Sequence, residues 1–240
     1  WYLVWDDHEI TNDTWHSGAE NHQSETEGDF LVRRMAAVRA YYEWLPIRPP
    51  QGEASAQIYR SFDFGNLLSL HLLDTRVIAR EEQLDYKNYL DTNTGKFATE
   101  RFATDISAQR SLLGQEQLGW LSEKLTQSNC HWQLLGQQIL MSKMHIPAEL
   151  LSVKDYSKLP EKLKALVEVK TRVLEAQQAG KPVDPTDFAR VNQLMPYNLD
   201  AWDGYPRERE QLYAIAKQLN KPLVVIAGDT HNAWYSLLVD

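Results

Sequence analysis

The feature that most constrains this sequence is its opening stretch, where an apolar run ends abruptly in a row of ionisable side chains. Residues 1–5 are Trp-Tyr-Leu-Val-Trp, and Asp6, Asp7, His8 and Glu9 follow directly. The aromatic and β-branched residues favour a buried strand. Carboxylate and imidazole groups at the end of such a strand are typical metal ligands. A solvated turn with a helix N-cap is the alternative, and both interpretations stay open at this point.

Composition limits the classes of protein that this chain can represent. Its 240 residues, 43% of them hydrophobic, can form one large domain with an insertion. A net charge of -8 argues against general binding to nucleic acids or anionic membranes, although a local basic pocket remains open. We predict no membrane span, since no window reaches ~18 apolar residues. The single cysteine, Cys130, excludes an intrachain disulfide and is interpreted as a buried apolar residue.

Both ends of the sequence have the composition of strands. Residue 1 already lies in an apolar run, and residues 234–239 are again strand-like. We therefore expect the 240 residues to be part of a longer protein, in which any export signal would lie outside them.

Hydrophobic spacing predicts alternating strands and helices. Two strand-like runs, 57–64 and 67–73, flank the hairpin signal Gly65-Asn66. Continuous apolar runs joined through helices favour an α/β layered sheet. Further strands are predicted at 132–136 and 223–227, and helices at 31–45, 118–125, 159–174 and 212–219. The helical segment at about 150–195 is predicted to be an insertion that could act as a lid.

Polar side chains follow four of the predicted strands. They are Asp7 with His8, Asp74 with Arg76, Gln137 with Gln138, and Asp229 with His231. If neighbouring strands bring these ends together, the pocket would suit two or more metal ions that bind a phosphate and activate a water. Arg76 could then hold the phosphate, with Asp74 orienting it, although a structural ion pair is an equal alternative. Residues 195–207, rich in aromatic and carboxylate groups, are either a pocket wall or an aromatic anchor.

Four motifs in this order and spacing resemble those of a known family. They are Trp5-Asp-Asp-His-Glu9 with Asn12, Leu73-Asp-Thr-Arg76, Leu199-Asp-Ala-Trp-Asp-Gly-Tyr205 with Arg209, and Gly228-Asp-Thr-His231. With them the chain resembles the PhoD-like alkaline phosphatases, a branch of the calcineurin-like metallophosphoesterases. The resemblance implies a four-layer α/β/β/α sandwich, here a partial domain over residues 1–240 that is incomplete at its N-terminus.

The resemblance also implies roles for individual residues. Asp7, Asp229 and His231 would bind metal, and His8 would act as a general acid or polarise the phosphate. Gln137 stands where the superfamily usually has a metal-binding histidine, and its amide suits calcium better than zinc or iron. Arg76 would contact the non-bridging oxygens. The substrate pocket would be formed by Asn12, Asp74, Trp202, Asp203 and Tyr205.

The function implied is a metal-dependent phosphoric ester hydrolase that attacks a phosphate mono- or diester with a metal-activated hydroxide. Iron and calcium are the cofactors implied, with zinc or manganese as alternatives. A monomer in the periplasm or outside the cell is expected. The family's earlier strand with a cysteine ligand, and its Gly-Asp-x-x-Tyr-like turn, are not among these residues. We therefore expect the 240 residues alone to bind metal weakly and to be inactive.

The alternative from a different class is a non-catalytic phosphoester-binding or scaffold domain that keeps the fold with an incomplete site. A metal-dependent peptidase is a weaker hypothesis, because no His-Glu-x-x-His helix is present.

Overall fold

The computed structural model describes residues 1–48, 57–94, 96–151, 153 and 155–238. The chain divides into two compact units, of which the first contains Trp1–Ser142 with Leu199–Asp240 and the second contains Lys143–Asn198. The α-helices among the described residues are α1 (Ser24–Glu27), α2 (Phe30–Trp44), α3 (Thr99–Ile106), α4 (Gly114–Gln127), α5 (Leu159–Gln178), α6 (Pro185–Asn192) and α7 (Pro206–Gln218).

A mixed four-stranded sheet organises the first unit. It contains β1 (Arg60–Phe64), β2 (Leu68–Leu72), β3 (Trp132–Gly136) and β6 (Leu223–Ile226), in the order β1-β2-β3-β6. The β1–β2 pair is antiparallel, whereas β2–β3 and β3–β6 are parallel. The predicted α/β class is confirmed. The four-layer arrangement stays a prediction.

The second unit has its own small sheet and core. Its strands β4 (His145–Pro147) and β5 (Leu194–Pro196) pair antiparallel. Helices α5 and α6 bury a separate apolar cluster, formed by Leu166, Val169, Val173 and Val191. The interpretation of residues 150–195 as an insertion, and as a lid, stays a prediction. In the described part of the chain no helix is both long and apolar enough to cross a membrane.

The apolar face of α4 covers the sheet of the first unit. Leu118, Leu121 and Leu125 recur at helical spacing and are buried, as the sequence predicts. They join a continuous core that also contains Leu73, Leu112, Leu113, Leu135, Ile139, Met141, Trp202, Tyr205, Leu212 and Tyr213. This core supports the carboxyl ends of the parallel strands.

The prediction of a strand over residues 1–5 is wrong. These residues are not in any strand, and only Trp5 is fully buried, whereas the side chains of Trp1 and Tyr2 are 85% and 51% exposed. The run instead lies against β1 through side chains, because the Tyr2 ring contacts Phe62 and the Arg60 guanidinium donates to the Leu3 carbonyl at 2.9 Å.

Two other predictions differ in detail. The hairpin between β1 and β2 is confirmed, but its loop has three residues, 65–67, because Phe64 pairs with Leu68. Helix α2 is also confirmed, with Asp29 capping its first turn. Its buried side chains are Phe30, Val38 and Tyr41.

Gly204 allows a tight turn before α7. A Cβ atom at this position would overlap the backbone carbonyl of Leu199, whose carbon would lie only 2.9 Å away. We expect Gly204→Ala to lower the free energy of unfolding by about 1–3 kcal/mol, since the clash is with backbone that cannot rotate away. Gly119→Ala is the matched control: it lies within α4 with open space around it, and it should stabilise the protein by about 0.5–1 kcal/mol. Urea unfolding measures the free energy of unfolding of both variants. An equal change in the two variants would contradict the steric role of Gly204.

Candidate metal centre

The loop after β2 is held in place by two buried glutamines. The Gln138 carbonyl oxygen accepts from the Thr75 backbone N–H at 2.9 Å and from its hydroxyl at 2.7 Å, while its amide donates to the Leu73 carbonyl at 2.9 Å. Gln117 of α4 accepts from the Asp74 N–H and donates to the Asp74 carbonyl, both at 2.8 Å. Because a buried, fully bonded loop has little freedom, the position of Arg76 is set by the sheet and α4.

Arg76 is the centre of the site. Its guanidinium is completely buried and donates to Asp6 Oδ1 at 2.7 Å, to both Asp200 oxygens at 2.8 Å, and to Asp229 Oδ1 at 3.1 Å. Asp7 Oδ1 lies 4.0 Å away. Burial alone would lower the pKa of Arg76, but the charges of Asp200, Asp6 and Asp7 raise it. Arg76 is therefore charged and draws together segments that are far apart in the sequence.

Asp200 links Arg76 to a second buried guanidinium. Arg80 donates to the Asp200 carbonyl at 2.9 Å and also makes a short contact with its carboxylate. Burial would raise the pKa of Asp200, but the charges of Arg80 and Arg76 hold it below its ordinary value. The Tyr205 ring lies under Arg80 and Arg110, at 5.0 and 4.9 Å from its centroid. Asp200 is thus a rigid, ionised link between the two arginines.

Three carboxylates converge beside this link. Asp6, Asp7 and Asp229 each present an oxygen, and these atoms all lie within 4.8 Å of one another. The Asp7 oxygens also accept from the backbone N–H groups of His8 and Asp13, at 2.9 and 2.8 Å. These bonds fix the Asp7 carboxylate in one orientation.

The local charge is not balanced by the arginines. Five carboxylates take part in the ion pairs and charge couplings around the guanidiniums of Arg76 and Arg80: those of Asp6, Asp7, Asp13, Asp200 and Asp229. Burial, followed by the charge of Asp200, raises the pKa values of Asp13 and Asp229 to about 6 against the pull of Arg76. Oxygen donors with an excess of negative charge fit a hard cation.

The loops that carry these carboxylates have an unusual backbone. Asp13, Asp229 and His231 have positive φ angles of 50°, 70° and 53°. Non-glycine residues rarely adopt this conformation, although aspartate and histidine tolerate it better than most. Such strain is commonly found at functional sites, where the surrounding structure holds it in place.

The structure places the predicted metal-binding and catalytic residues in different surroundings. Asp7 and Asp229 are together, and His8 lies beside them, with an exposed side chain whose Nε2 is 3.9 Å from Asp7 Oδ2. His231 is exposed and is not a member of the carboxylate group. Gln137 is buried, and its carbonyl oxygen accepts from the Trp202 indole at 3.0 Å. The metal-binding roles of His231 and Gln137 stay predictions.

The predicted pocket residues are mostly buried. Asp74 is fully buried, its Oδ1 accepts from the N–H groups of Arg76 and Val77, and burial raises its pKa to about 6.

The other predicted pocket residues have partners within the protein. Asp203 pairs with Arg209 at 2.5 Å, and the Tyr205 hydroxyl donates to the Glu81 carbonyl at 2.6 Å. Asn12 is partly exposed and donates to Glu20 at 2.6 Å. Trp202, Asp203 and Tyr205 are buried. The pocket-wall and aromatic-anchor interpretations of residues 195–207 both stay predictions, and so does the contact of these residues and Asp74 with substrate.

Four further residues take part in the site, and for none of them did the sequence predict the contact that the structure shows. Asp6 and Asp200 lie within the motifs quoted for the family resemblance, but the sequence does not show which carboxylate of each motif faces inward. Arg80 and Asp13 lie outside those motifs, in segments without regular spacing. For them the sequence offers no signal, because their role depends on contacts with Asp200 and Asp7.

Comparison with known proteins places this geometry in a family. The model of the PhoD-like phosphatase family matches residues 1–240. The chain belongs to this family. Alkaline phosphatase D of Bacillus subtilis (strain 168) is 32% identical over 244 residues, which cover 99% of this chain and 32% of that protein. A solved structure described as "Structure of PhoD" matches with a TM-score of 0.61 and 28% identity, over 96% of this chain and 34% of that one.

The chain therefore spans about a third of the length of these two relatives. PhoD-like phosphatases are metal-dependent, and the carboxylate group agrees with that property.

Arg76 should dominate the stability of this site. We expect Arg76→Met to lower the free energy of unfolding by about 3–5 kcal/mol, because it leaves buried carboxylates without their counter-charge. Arg39→Met is the matched control, since Arg39 is exposed and pairs only with Glu43 one turn along α2. Its substitution should leave stability unchanged within the error of urea unfolding. Equal losses for the two variants would mean that the buried pairing of Arg76 is not important.

Proposed function

We propose that this chain forms part of the active site of a metal-dependent phosphoric ester hydrolase. The observation that carries the proposal is the convergence of Asp6, Asp7 and Asp229 within 4.8 Å, in a chain of the PhoD-like phosphatase family. The substrate class that we propose is a phosphate mono- or diester. The proposed activity is that of the full-length protein, because this chain spans about a third of the length of its relative.

The donor set supports a hard cation more than a soft one. Asp6, Asp7 and Asp229 offer only carboxylate oxygens, which suit calcium and ferric iron, whereas zinc is more often bound through nitrogen and sulfur. We therefore propose calcium and iron, with manganese or zinc as the alternatives. When bound, such ions lower the pKa of water and polarise a phosphoryl oxygen, so that hydroxide can attack phosphorus in line.

Arg76 has a positioning role in this proposal. Its donors are engaged by Asp6, Asp200 and Asp229, so it sets the spacing of two carboxylates that would hold metal. The contact with non-bridging oxygens that the sequence predicts would require release of an existing bond, and the 3.1 Å bond to Asp229 is the longest of the set. Asp200 accepts from Arg76 and is itself bonded to Arg80, so these two residues hold the Arg76 guanidinium in position.

His8 is the residue that we propose for proton transfer. Its imidazole is 72% exposed and lies next to the ionisable group of Asp7, so it can reach a substrate that approaches from solvent. A protonated imidazole can give its proton to the departing alkoxide oxygen as the ester P–O bond breaks. The same group can instead stabilise negative charge on the phosphate.

The carboxylate group can be tested by its effect on metal content. Asp229→Asn in the full-length protein should reduce the metal bound per chain and abolish hydrolysis, because an amide is a weaker ligand and carries no charge. Asp91→Asn is the matched control, since Asp91 lies in an exposed turn and accepts from the backbone N–H groups of Asn93 and Thr94. Elemental analysis measures metal content. Unchanged metal in Asp229→Asn would remove Asp229 from the ligand set.

His8 can be separated from metal binding. His8→Ala should lower turnover by about two orders of magnitude or more while metal content stays constant, because general acid catalysis is lost. The assay is a panel of phosphomonoesters and phosphodiesters, including aryl esters whose leaving groups need no protonation, for which the loss should be smaller. Equal turnover by His8→Ala and the wild type would exclude His8 as the proton donor. A wild-type protein that binds metal and phosphate but hydrolyses none of the panel would favour the scaffold alternative.

A further inference from the structure

We propose that a cleft beneath α4 holds a second reactive site, in which Ser61 is a nucleophile, His71 is its base and Gln133 orients the base. The substrate class is a small carboxylic ester with an aromatic part. This proposal does not depend on the proposed phosphoric ester hydrolase activity.

The three side chains form a continuous hydrogen-bonded chain across three strands. Ser61 of β1 and His71 of β2 are directly opposite in the antiparallel register, and Ser61 Oγ lies 2.7 Å from His71 Nδ1. His71 Nε2 lies 2.9 Å from Gln133 Oε1 of β3. A nucleophile, a base and a group that orients the base are the three parts of activated serine sites.

The surrounding bonds determine which nitrogen of His71 carries hydrogen. Gln133 Nε2 lies 3.0 Å from the Cys130 carbonyl oxygen, which can only accept, and 2.9 Å from Ser128 Oγ. The amide nitrogen must therefore face Cys130, and the amide oxygen must face His71. This makes His71 Nε2 the donor and leaves the lone pair of Nδ1 free to accept from the Ser61 hydroxyl.

His71 is buried at the wall of the cleft, with only 1% of its surface exposed. Burial lowers its pKa from the ordinary value, whereas the hydrogen bond to Gln133 and the charge of Asp63 raise it, and the charge of Lys124 lowers it. Asp63 and Lys124 both line the same cleft. In its neutral form the imidazole can take a proton from the Ser61 hydroxyl.

The cleft is large enough for a small molecule and lies away from the metal centre. Its volume is about 660 Å³, within the range of ligand pockets, and no residue of the carboxylate group lines it. Asn66 and Ser128, which precede β2 and β3, place it toward the amino ends of the strands, whereas the metal centre follows their carboxyl ends. Tyr59 and Trp120, with ring centroids 4.8 Å apart, provide an aromatic wall.

The reaction balances without any redox partner. The Ser61 O–H proton moves to His71 Nδ1 as Oγ forms a bond to the acyl carbon. Collapse of the adduct breaks the ester C–O bond, and the leaving oxygen keeps the electron pair and takes the proton from Nδ1. A water molecule then gives a proton to the same nitrogen as its oxygen bonds to the acyl carbon. The acyl C–Oγ bond breaks, Ser61 Oγ takes the proton back from Nδ1, and the carboxylic acid leaves. Lys124, which lines the cleft, is the cationic side chain that we propose to stabilise the negative charge of the adduct.

The test is labelling of the full-length protein with a fluorophosphonate, which forms a stable bond to activated serines with loss of fluoride. Peptide mapping should find the label on Ser61 in the wild type and not in Ser61→Ala. The rate of labelling at Ser61 should fall by about 100-fold or more in His71→Gln, because the base is lost. Ser107→Ala, at an exposed helix end, is the control and should label like the wild type.

The outcomes decide between a reactive site and a purely structural hydrogen-bonded chain. An unlabelled Ser61 in the folded wild type would overturn the proposal, and so would a labelling rate that does not depend on His71. If His71→Gln melts at a lower temperature, Gln133→Leu replaces it, because this variant keeps the base and removes its orientation. Labelling at Ser61 should then fall by about 10-fold, with hydrolysis of phenyl acetate falling in parallel.

Discussion

The buried guanidinium of Arg76 is the interaction on which the rest of the candidate metal centre depends. A charge without access to water is stable only when oppositely charged groups surround it. Here those groups come from the opening stretch, from the segment before α7 and from the loop after β6, which lie 70, 124 and 153 residues from Arg76 in the chain. The parallel strands and the two buried glutamines fix Arg76, and Arg76 in turn fixes the carboxylates.

The same arrangement explains why the site suits a cation. Arg76 and Arg80 neutralise Asp200, whose pKa stays below its ordinary value, but they do not neutralise the whole group of carboxylates. Burial, with the charge of Asp200, raises the pKa values of Asp13 and Asp229 to about 6, which reflects the cost of keeping these carboxylates charged. A metal ion held by Asp6, Asp7 and Asp229 would lower that cost, and this agrees with the metal dependence of PhoD-like phosphatases.

The sheet separates two chemically different regions. Loops after the carboxyl ends of its parallel strands contribute to the carboxylate group, whereas the face of β1, β2 and β3 under α4 carries a partly buried polar network. Burying such a network is costly unless every member is bonded. Ser61, His71 and Gln133 meet that condition, and the cleft beside them opens this region to a small molecule.

The sequence by itself determined the α/β class, the hairpin, and the motifs in which Asp7, Arg76 and Asp229 lie. It also determined the helices predicted at 31–45 and 118–125, which the structure has at 30–44 and 114–127. These features follow from local spacing and from short motifs, which a sequence shows directly. The tertiary structure alone decided that residues 1–5 contact β1 without forming a strand, and that Asp6 joins Asp7 and Asp229 while His231 stays exposed. Strand pairing and the direction of each carboxylate depend on partners distant in the chain, above all on the buried charge of Arg76, and no local pattern encodes them.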